Sequence, residues 1–524
     1  MIQLEAALRD WALAVGAENV VTQAATLRAA ETGTFASDHH VPAIVRPASR
    51  EEVQECLRIA NRYGCPLYPI SSGKNWGYGS RMPSKDGCTL LDLGRMNRIL
   101  DFSESLGYIT VEPGVTQAQV YQFLRDRGSR LWMDATGASP DCSLVGNACE
   151  RGFGHTPYGD HFAHTCGLEV VMPTGEAIET GFGRFAGAQA APAYRWGLGP
   201  VLDGLFSQSN FGVVTRMTQW LMPAPEYFQA YYFRVEEAAA LETLIEALRP
   251  LRMSGHIRSA SHIANDYKVV SALQQYPWEL TGGQTPLSGD AMADLRRGLK
   301  IGAWNGSGAL YGTRAQVKES RRLLKQALRG VASRLQFLDD GMIRLAERFA
   351  KPYEFLTGWK VERTLAVLKP VYGLMKGIPT SHPLASTYWR KRTAPPESMD
   401  PDRDGCGLIW CSPVAPNQGS SACQLTDLVT GHVLEEGFEP AISLTMITER
   451  ALACIISLAW DRAVPGEDQR AFRCYRTLVD RLAGRGFHST ERIGIRRKTC
   501  RSASDTMLVS LKIFRRSVLC AGCS

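Results

Sequence analysis

The chain has 524 residues, enough for two or three domains, and its 44% hydrophobic and 21% charged residues are those of a soluble globular protein. A net charge of +7 is mild over this length, and Lys and Arg are scattered except near the C-terminus (Arg496-Arg-Lys498, Arg515-Arg516), which argues against nucleic-acid binding. The 14 cysteines are irregularly spaced, many in apolar runs such as Cys56-Leu57 and Leu452-Ala-Cys454, which excludes a disulfide framework and points to a reducing compartment.

The N-terminus carries Glu5 where a secretory signal would be basic, and no run approaches the ~18 apolar residues of a membrane span, so a cytoplasmic protein is expected. Residues 49–64 read as a helix: Ser49 and Glu52 form a capping box, Val53, Cys56, Leu57 and Ala60 share a face, and Gly64 ends it. A short apolar run, Cys65 to Ile70, then leads into Ser-Ser-Gly-Lys-Asn-Trp-Gly-Tyr-Gly-Ser80. Such glycine spacing lets successive N–H groups point into one concavity that suits a phosphate, with a plain Gly-rich hairpin as the alternative. It is not a Walker loop, because Tyr68 stands at the first glycine position and Asn75 follows Lys74. It is not a Rossmann fingerprint either, since Gly77-Tyr-Gly79 lacks the third glycine.

Strands follow near Thr89–Leu93 and Tyr108–Val111, then a second capped helix from Thr116 to Arg127, with Gln119 at its start and Gly128 after it. Leu168 to Thr180 reads as two strands joined at Thr174-Gly175. After Leu221-Met-Pro-Ala-Pro225 the texture changes: a strand (Phe228–Val235), a helix (Ala239–Leu251), a strand near Lys300–Tyr311, a charged helix (Gln316–Arg329) and a strand–strand–helix run over 440–483. This alternation predicts a separate α+β domain with an antiparallel sheet. His39-His40 point to opposite faces of an extended segment, and His161 and His164 lack further ligands at metal spacing, so no metal site is expected. Cys520-Ala-Gly-Cys523 has redox-motif spacing but stands alone at a chain end.

Several motifs in fixed order carry a resemblance: Pro47-x-Ser-x-Glu51-Glu52-Val53, Pro69-Ile-Ser-Ser-Gly-Lys-Asn-x-Gly-Tyr-Gly79, Val111-Glu-Pro-Gly-Val115, Gly146-Asn-x-x-Glu150-Arg-Gly-x-Gly-x-Thr-Pro-Tyr-Gly-Asp160-His161 and Trp220-Leu-Met-Pro223. The chain resembles the p-cresol methylhydroxylase and vanillyl-alcohol oxidase flavoproteins, densely over 40–223 and more sparsely beyond. The resemblance implies an α+β fold with a two-subdomain FAD-binding domain over 1–222. It also implies a cap domain with an antiparallel sheet over 223–480, and a return to the FAD domain over 481–524. FAD would be cradled by Pro69, Ile70, Ser71, Ser72, Gly73, Lys74, Asn75, Trp76, Gly77 and Tyr78. The segment Ser143, Gly146, Asn147, Glu150, Arg151, Gly152, Gly154, His155, Thr156, Tyr158, Gly159, Asp160 and His161 would run along its ribityl chain and ring, with Gly212, Val213 and Val214 beside it. Asn147, Glu150 and Arg151 read equally well as a buried polar network holding that loop.

In this family a hydride passes to the flavin from the benzylic-type carbon of a para-substituted phenol bound as phenolate, so donors are needed at the phenolate oxygen. The resemblance places Tyr78 and Arg492 there, with Glu491 where the family has a second tyrosine. Asp134 and Asp141 stand near the position of the oxidase branch's base, itself Gly137 here, and either could act as base, with a capping or turn role as the other reading of each. Leu408 replaces that branch's flavin-linked histidine, so no covalent link is expected through it. The last thirty residues diverge, with Arg515-Arg-Ser517 where the family carries Asp-Pro-x-Gly. Three readings follow: an oxidoreductase acting on a phenol or a related aromatic alcohol or amine, a natural-product tailoring oxidase acting on a larger aromatic acid with Arg492 on its carboxylate, and a flavin-binding protein without turnover. Oxygen or a cytochrome would reoxidise the flavin, and a homodimer is in keeping with the family.

Overall fold

The computed structural model describes residues 3–357 and 361–490, with backbone alone at 350–357 and 361–367. The expected capped helix is Arg50–Tyr63, with Gly64 closing it at φ +66°. Ser49 Oγ accepts from Glu52 N at 3.2 Å, but the Glu52 carboxylate reaches back to Ala48 N (2.7 Å) rather than to Ser49, so the box is shifted by one residue. The second helix, Gln117–Asp126, has the full reciprocal box between Thr116 and Gln119. An amino-terminal helix not read from the sequence, Leu4–Val15, packs on Arg50–Tyr63, and its buried Trp11 donates to Cys56 O at 3.1 Å.

A four-stranded sheet runs in the order Val20–Val21, Ile44–Val45, Thr89–Asp92, Leu67–Ile70, its last three strands parallel. The Gly-rich segment begins where Leu67–Ile70 ends, at the carboxyl edge of those parallel strands, where backbone donors lie open to a ligand. An antiparallel sheet follows in the order Ile99–Ser103, Tyr108–Val111, Val213–Trp220, Thr165–Val171, Ala177–Glu179.

The third sheet is drawn from Tyr227 onward and is antiparallel throughout. At its heart Ala441–Thr445 and Cys406–Cys411 flank Ala451–Asp461, and Trp410 and Ala441 both stand opposite Ser457. Side chains alternate across a strand, so one set, including Ile409, Ile442, Cys454, Ile456 and Leu458, is fully buried. Helices Gly419–Glu435 and Glu467–Gly484 cover that side. Each such aliphatic side chain contributes roughly 1.5–3 kcal/mol by burial. The strand expected from Lys300 begins only at Trp304, because Lys300 is the left-handed cap (φ +55°) of a helix, Gly289–Leu299, that the sequence reading lacks. Among the described residues no helix is long and apolar enough to cross a membrane, and no group of His, Cys, Asp or Glu is placed to hold a metal.

Candidate active site

A cavity of about 820 Å³ opens between the Gly-rich segment, the segment around 143–163 and the alternate face of the third sheet. The Gly-rich segment is shaped by Gly73 (φ +64°), a 3-10 turn at Trp76–Tyr78 and Gly79 (φ +110°). Ser80 N returns to Asn75 O at 2.9 Å, and Trp76 Nε1 pins the turn to Ala138 O at 3.1 Å. The N–H groups of 72–75 donate to no protein group among the described residues, and these residues line the cavity. Open backbone donors at a strand end form an anion nest, so the chain fits the diphosphate of a dinucleotide.

The second wall is tied to the first where Ser143 N donates to Ser72 Oγ at 3.1 Å. Ser143 caps the helix Leu144–Cys149, in which a Cβ at Gly146 would run into Ser71 Oγ; the two segments touch because that position has no side chain. Beyond it Asn147 Oδ1 meets His161 Nδ1 at 2.5 Å, and Arg151 Nε donates to Ser207 Oγ at 2.8 Å. Glu150 lines the cavity, and burial raises its carboxyl pKa.

The cap-side wall follows from the period of two. Leu408, Trp410 and Ser412, then Ala441, Ser443 and Thr445, then Ala453, Ile455, Ser457 and Ala459 all face the cavity. Most are small or carry a hydroxyl, which is why space is left there. Tyr78 reaches this wall: its hydroxyl bonds to Ser412 Oγ and its ring meets Trp410 edge-on at 5.7 Å. Gly77 permits that approach, since a Cβ there would press on the Trp410 ring, 2.8 Å from Cε3. His262 also faces in, its Nδ1 on Thr445 Oγ1 (2.9 Å) and its ring 4.4 Å from that of His155. Burial lowers the pKa of both imidazoles, which keeps them neutral at pH 7.

Of the cofactor residues named from the sequence, most line the cavity, from Pro69 to Asn75, Tyr78, Ser143, Gly146, Asn147, Glu150, Arg151, Gly152, His155 and Asp160 to Gly212, Val213 and Val214. Trp76, Gly77, Gly154, Thr156, Tyr158, Gly159 and His161 do not line it. Neither acid named as a base does. Asp141 is exposed. Asp134 is buried and accepts from His155 N (3.0 Å), Thr156 N (2.9 Å) and Thr156 Oγ1 (2.7 Å), which makes it the organiser of the 154–156 turn. Burial alone would raise its pKa, but the nearby His161 imidazole, its Nε2 3.5 Å from Oδ1, and the bond from Thr156 outweigh that and leave it below the usual range. Glu491 and Arg492 lie outside the described residues. Lys268, His262, Trp410 and Ser457 were missed; only alternation along 451–461 hints at them, and nothing local pairs that strand with 406–411.

Behind the Gly-rich segment, Ser80 Oγ donates to Asp402 Oδ1 at 2.8 Å. Burial, with Asp400 adding to it, pushes the Asp402 carboxyl up to about 7. Below about pH 4 this group is protonated in both folded and unfolded chains. Between there and about pH 7 only the folded chain keeps the proton, so stability falls as pH rises through this window and stays lower above it. Asp402→Asn should remove that slope, raising stability at pH 8 by at most about 4 kcal/mol. Melting curves of the two proteins between pH 5 and pH 8 check this; parallel curves would refute it.

Residues 41–181 match the model of an FAD binding domain. Over 504 residues, 96% of this chain and 93% of the relative, the sequence is 44% identical to 1'-carboxy-chondrochloren decarboxylase of Chondromyces crocatus. It is 32% identical over 451 residues, 86% of this chain and 80% of the relative, to the flavoprotein subunit of 4-cresol dehydrogenase (hydroxylating) of Pseudomonas putida. The crystal structure of p-cresol methylhydroxylase with substrate bound superposes with a TM-score of 0.83 at 27% identity, over 94% of this chain and 89% of that one. The chain belongs to the p-cresol methylhydroxylase and vanillyl-alcohol oxidase family and is an FAD-dependent oxidoreductase.

Proposed function

We propose that this chain takes a hydride from the benzylic carbon of the substituent para to the hydroxyl of a phenolic substrate held at Tyr78. In this reading residues 1–222 hold the cofactor and 223–480 enclose the substrate. The observation that carries it is Tyr78 itself, on the cofactor loop yet with its hydroxyl at the cap-side wall beside Ser412 and Trp410. FAD, when bound, supplies the hydride acceptor. Tyr78 offers a hydrogen bond to the phenolic oxygen, favouring the phenolate whose electrons expel the hydride and leave a quinone methide. The apolar surface of Trp410, Leu408 and Ile455 keeps bulk water from the ring.

A second reading, an aromatic acid larger than cresol, is favoured by the 44% identity over nearly the whole length to an enzyme whose name describes loss of a carboxyl group. Both readings share the phenolic step. Loss of CO2 from the carbon next to a quinone methide restores the aromatic ring and leaves an alkene, with no oxidant beyond the one hydride acceptor.

Anaerobic addition of 4-ethylphenol, vanillyl alcohol or 4-hydroxyphenyl acids should bleach the oxidised flavin band. The acids should do so faster if the second reading is right. A holoenzyme whose flavin none of these reduces would end the phenolic assignment.

A further inference from the structure

Lys268 lies in the first turn of the helix Asp266–Leu273, where the Asn265 side chain caps by accepting Lys268 N at 3.0 Å. Its side chain leaves the helix and lines the cavity, with Nζ 3.4 Å from Ser457 Oγ on the sheet. No carboxylate pairs with it among the described residues, and burial alone lowers its pKa to about 8. The other long cations of the wall are engaged: Lys74 with Asp400 at 3.7 Å, Arg151 with Ser207, Arg195 with Ala163 O. An ammonium set in protein without a counter-charge costs several kcal/mol, and the same site without the charge would be more stable. Its placement makes sense if an anion joins it there.

The position of Lys268 relative to Tyr78 narrows what that anion is. Tyr78 packs on Trp410, Trp410 stands opposite Ser457 in the neighbouring strand, and Ser457 is the contact of Lys268. The row therefore has a phenol-binding hydroxyl at one end and a cation at the other, on the order of 10 Å apart by strand spacing. Ser443, two strands from Trp410 on the same face, adds a hydroxyl close to the cationic end. A benzene ring with a para hydroxyl and a short acidic arm spans such a row.

We propose that Lys268 is a specificity residue that binds the carboxylate of a hydroxyaryl acid, with Ser457 beside it, while the phenolic oxygen of the same molecule lies at Tyr78. The proposal rests on the phenolic reading above and adds the substrate's second functional group. A carboxylate brought to Lys268 gains a charge-assisted hydrogen bond in a site shielded from water, and it relieves the uncompensated ammonium. A neutral alkylphenol gains neither.

The test uses the FAD-loaded enzyme and its Lys268→Met and Lys268→Arg variants. Each is titrated anaerobically with 4-hydroxyphenylacetate, 3-(4-hydroxyphenyl)propionate and 4-ethylphenol, and Kd is read from perturbation of the oxidised flavin spectrum. Lys268→Met should weaken the tighter of the two acids roughly 10–100-fold, as expected for loss of a hydrogen bond to a charged group, and change 4-ethylphenol less than about 2-fold. Lys268→Arg should recover most of the acid affinity, which a merely structural lysine would not require. Melting temperature and bound FAD are followed alongside, and Lys268→Met should keep both, since it removes a desolvated charge. Equal weakening of acids and 4-ethylphenol, no binding of either acid to the wild type, or loss of FAD from Lys268→Met overturns the proposal. Flavin that binds these ligands but is reduced by none of them instead overturns the phenolic reading, while the comparison of Kd values still decides the role of Lys268.

Discussion

Tyr78→Phe is expected to slow reduction of the flavin by a phenolic substrate roughly 10²–10³-fold, the usual cost of removing one preorganised donor to a developing oxyanion. The ring remains, so its edge-on contact with Trp410 and the packing of the loop are retained. What is lost is the hydroxyl that bonds to Ser412 Oγ and faces the cavity. Ser412 would lose that partner, for about 1 kcal/mol of stability, too little to unfold the chain. Anaerobic stopped-flow at saturating 4-ethylphenol separates the rate from binding. An unchanged limiting rate would remove Tyr78 from the chemistry and leave it a packing residue.

Gly154→Ala should yield protein that holds little FAD and is less stable by on the order of 3–5 kcal/mol. Gly154 N donates to Gly159 O at 2.9 Å, and an added Cβ would collide with the Asp134 carboxylate and come within 2.8 Å of Ala135 O. Backbone cannot rotate out of the way as a side-chain tip can. Yielding would pull Asp134 off the N–H groups of His155 and Thr156, leaving buried donors and a buried carboxylate unpaired. His155 lines the cavity directly after this position, so the disturbance passes into the cofactor wall. The ratio of flavin to protein absorbance, with the melting temperature, reads both effects. Gly204→Ala is the control: nothing lies within 4 Å of its added methyl, and it should change stability by less than about 0.5 kcal/mol. A Gly154→Ala protein with full flavin and unchanged melting would show that the turn is not rigid.

What could be read from the chain beforehand was mostly what is local. The helices Arg50–Tyr63 and Gln117–Asp126 announce themselves through Ser49, Thr116, Gly64 and Gly128, because caps are made within four residues. The Gly-rich segment was legible for the same reason, whereas Tyr78 was singled out only by the family resemblance. Lys268 was not legible, because its meaning arises only when the strand Ala451–Asp461 brings Ser457 to it from 189 positions away. Asp134 illustrates a reading that sequence leaves open between two roles. A carboxylate in a family-like position invites a chemical role, but whether it faces a cavity or the N–H groups of its own neighbourhood depends on a turn 20 residues further on. Buried carboxylates with three local donors are held too firmly to move a proton readily.

The alternation along Ala451–Asp461 has an outcome for how this protein can change. Residues 453, 455, 457 and 459 meet the ligand space, while 454, 456 and 458 anchor the sheet to its helices. Ligand scope and foldedness are thus written on interleaved positions of one strand. Exchanging odd-numbered side chains should resculpt what is accepted with little penalty in folding, whereas a single deletion would invert the strand and forfeit both at once.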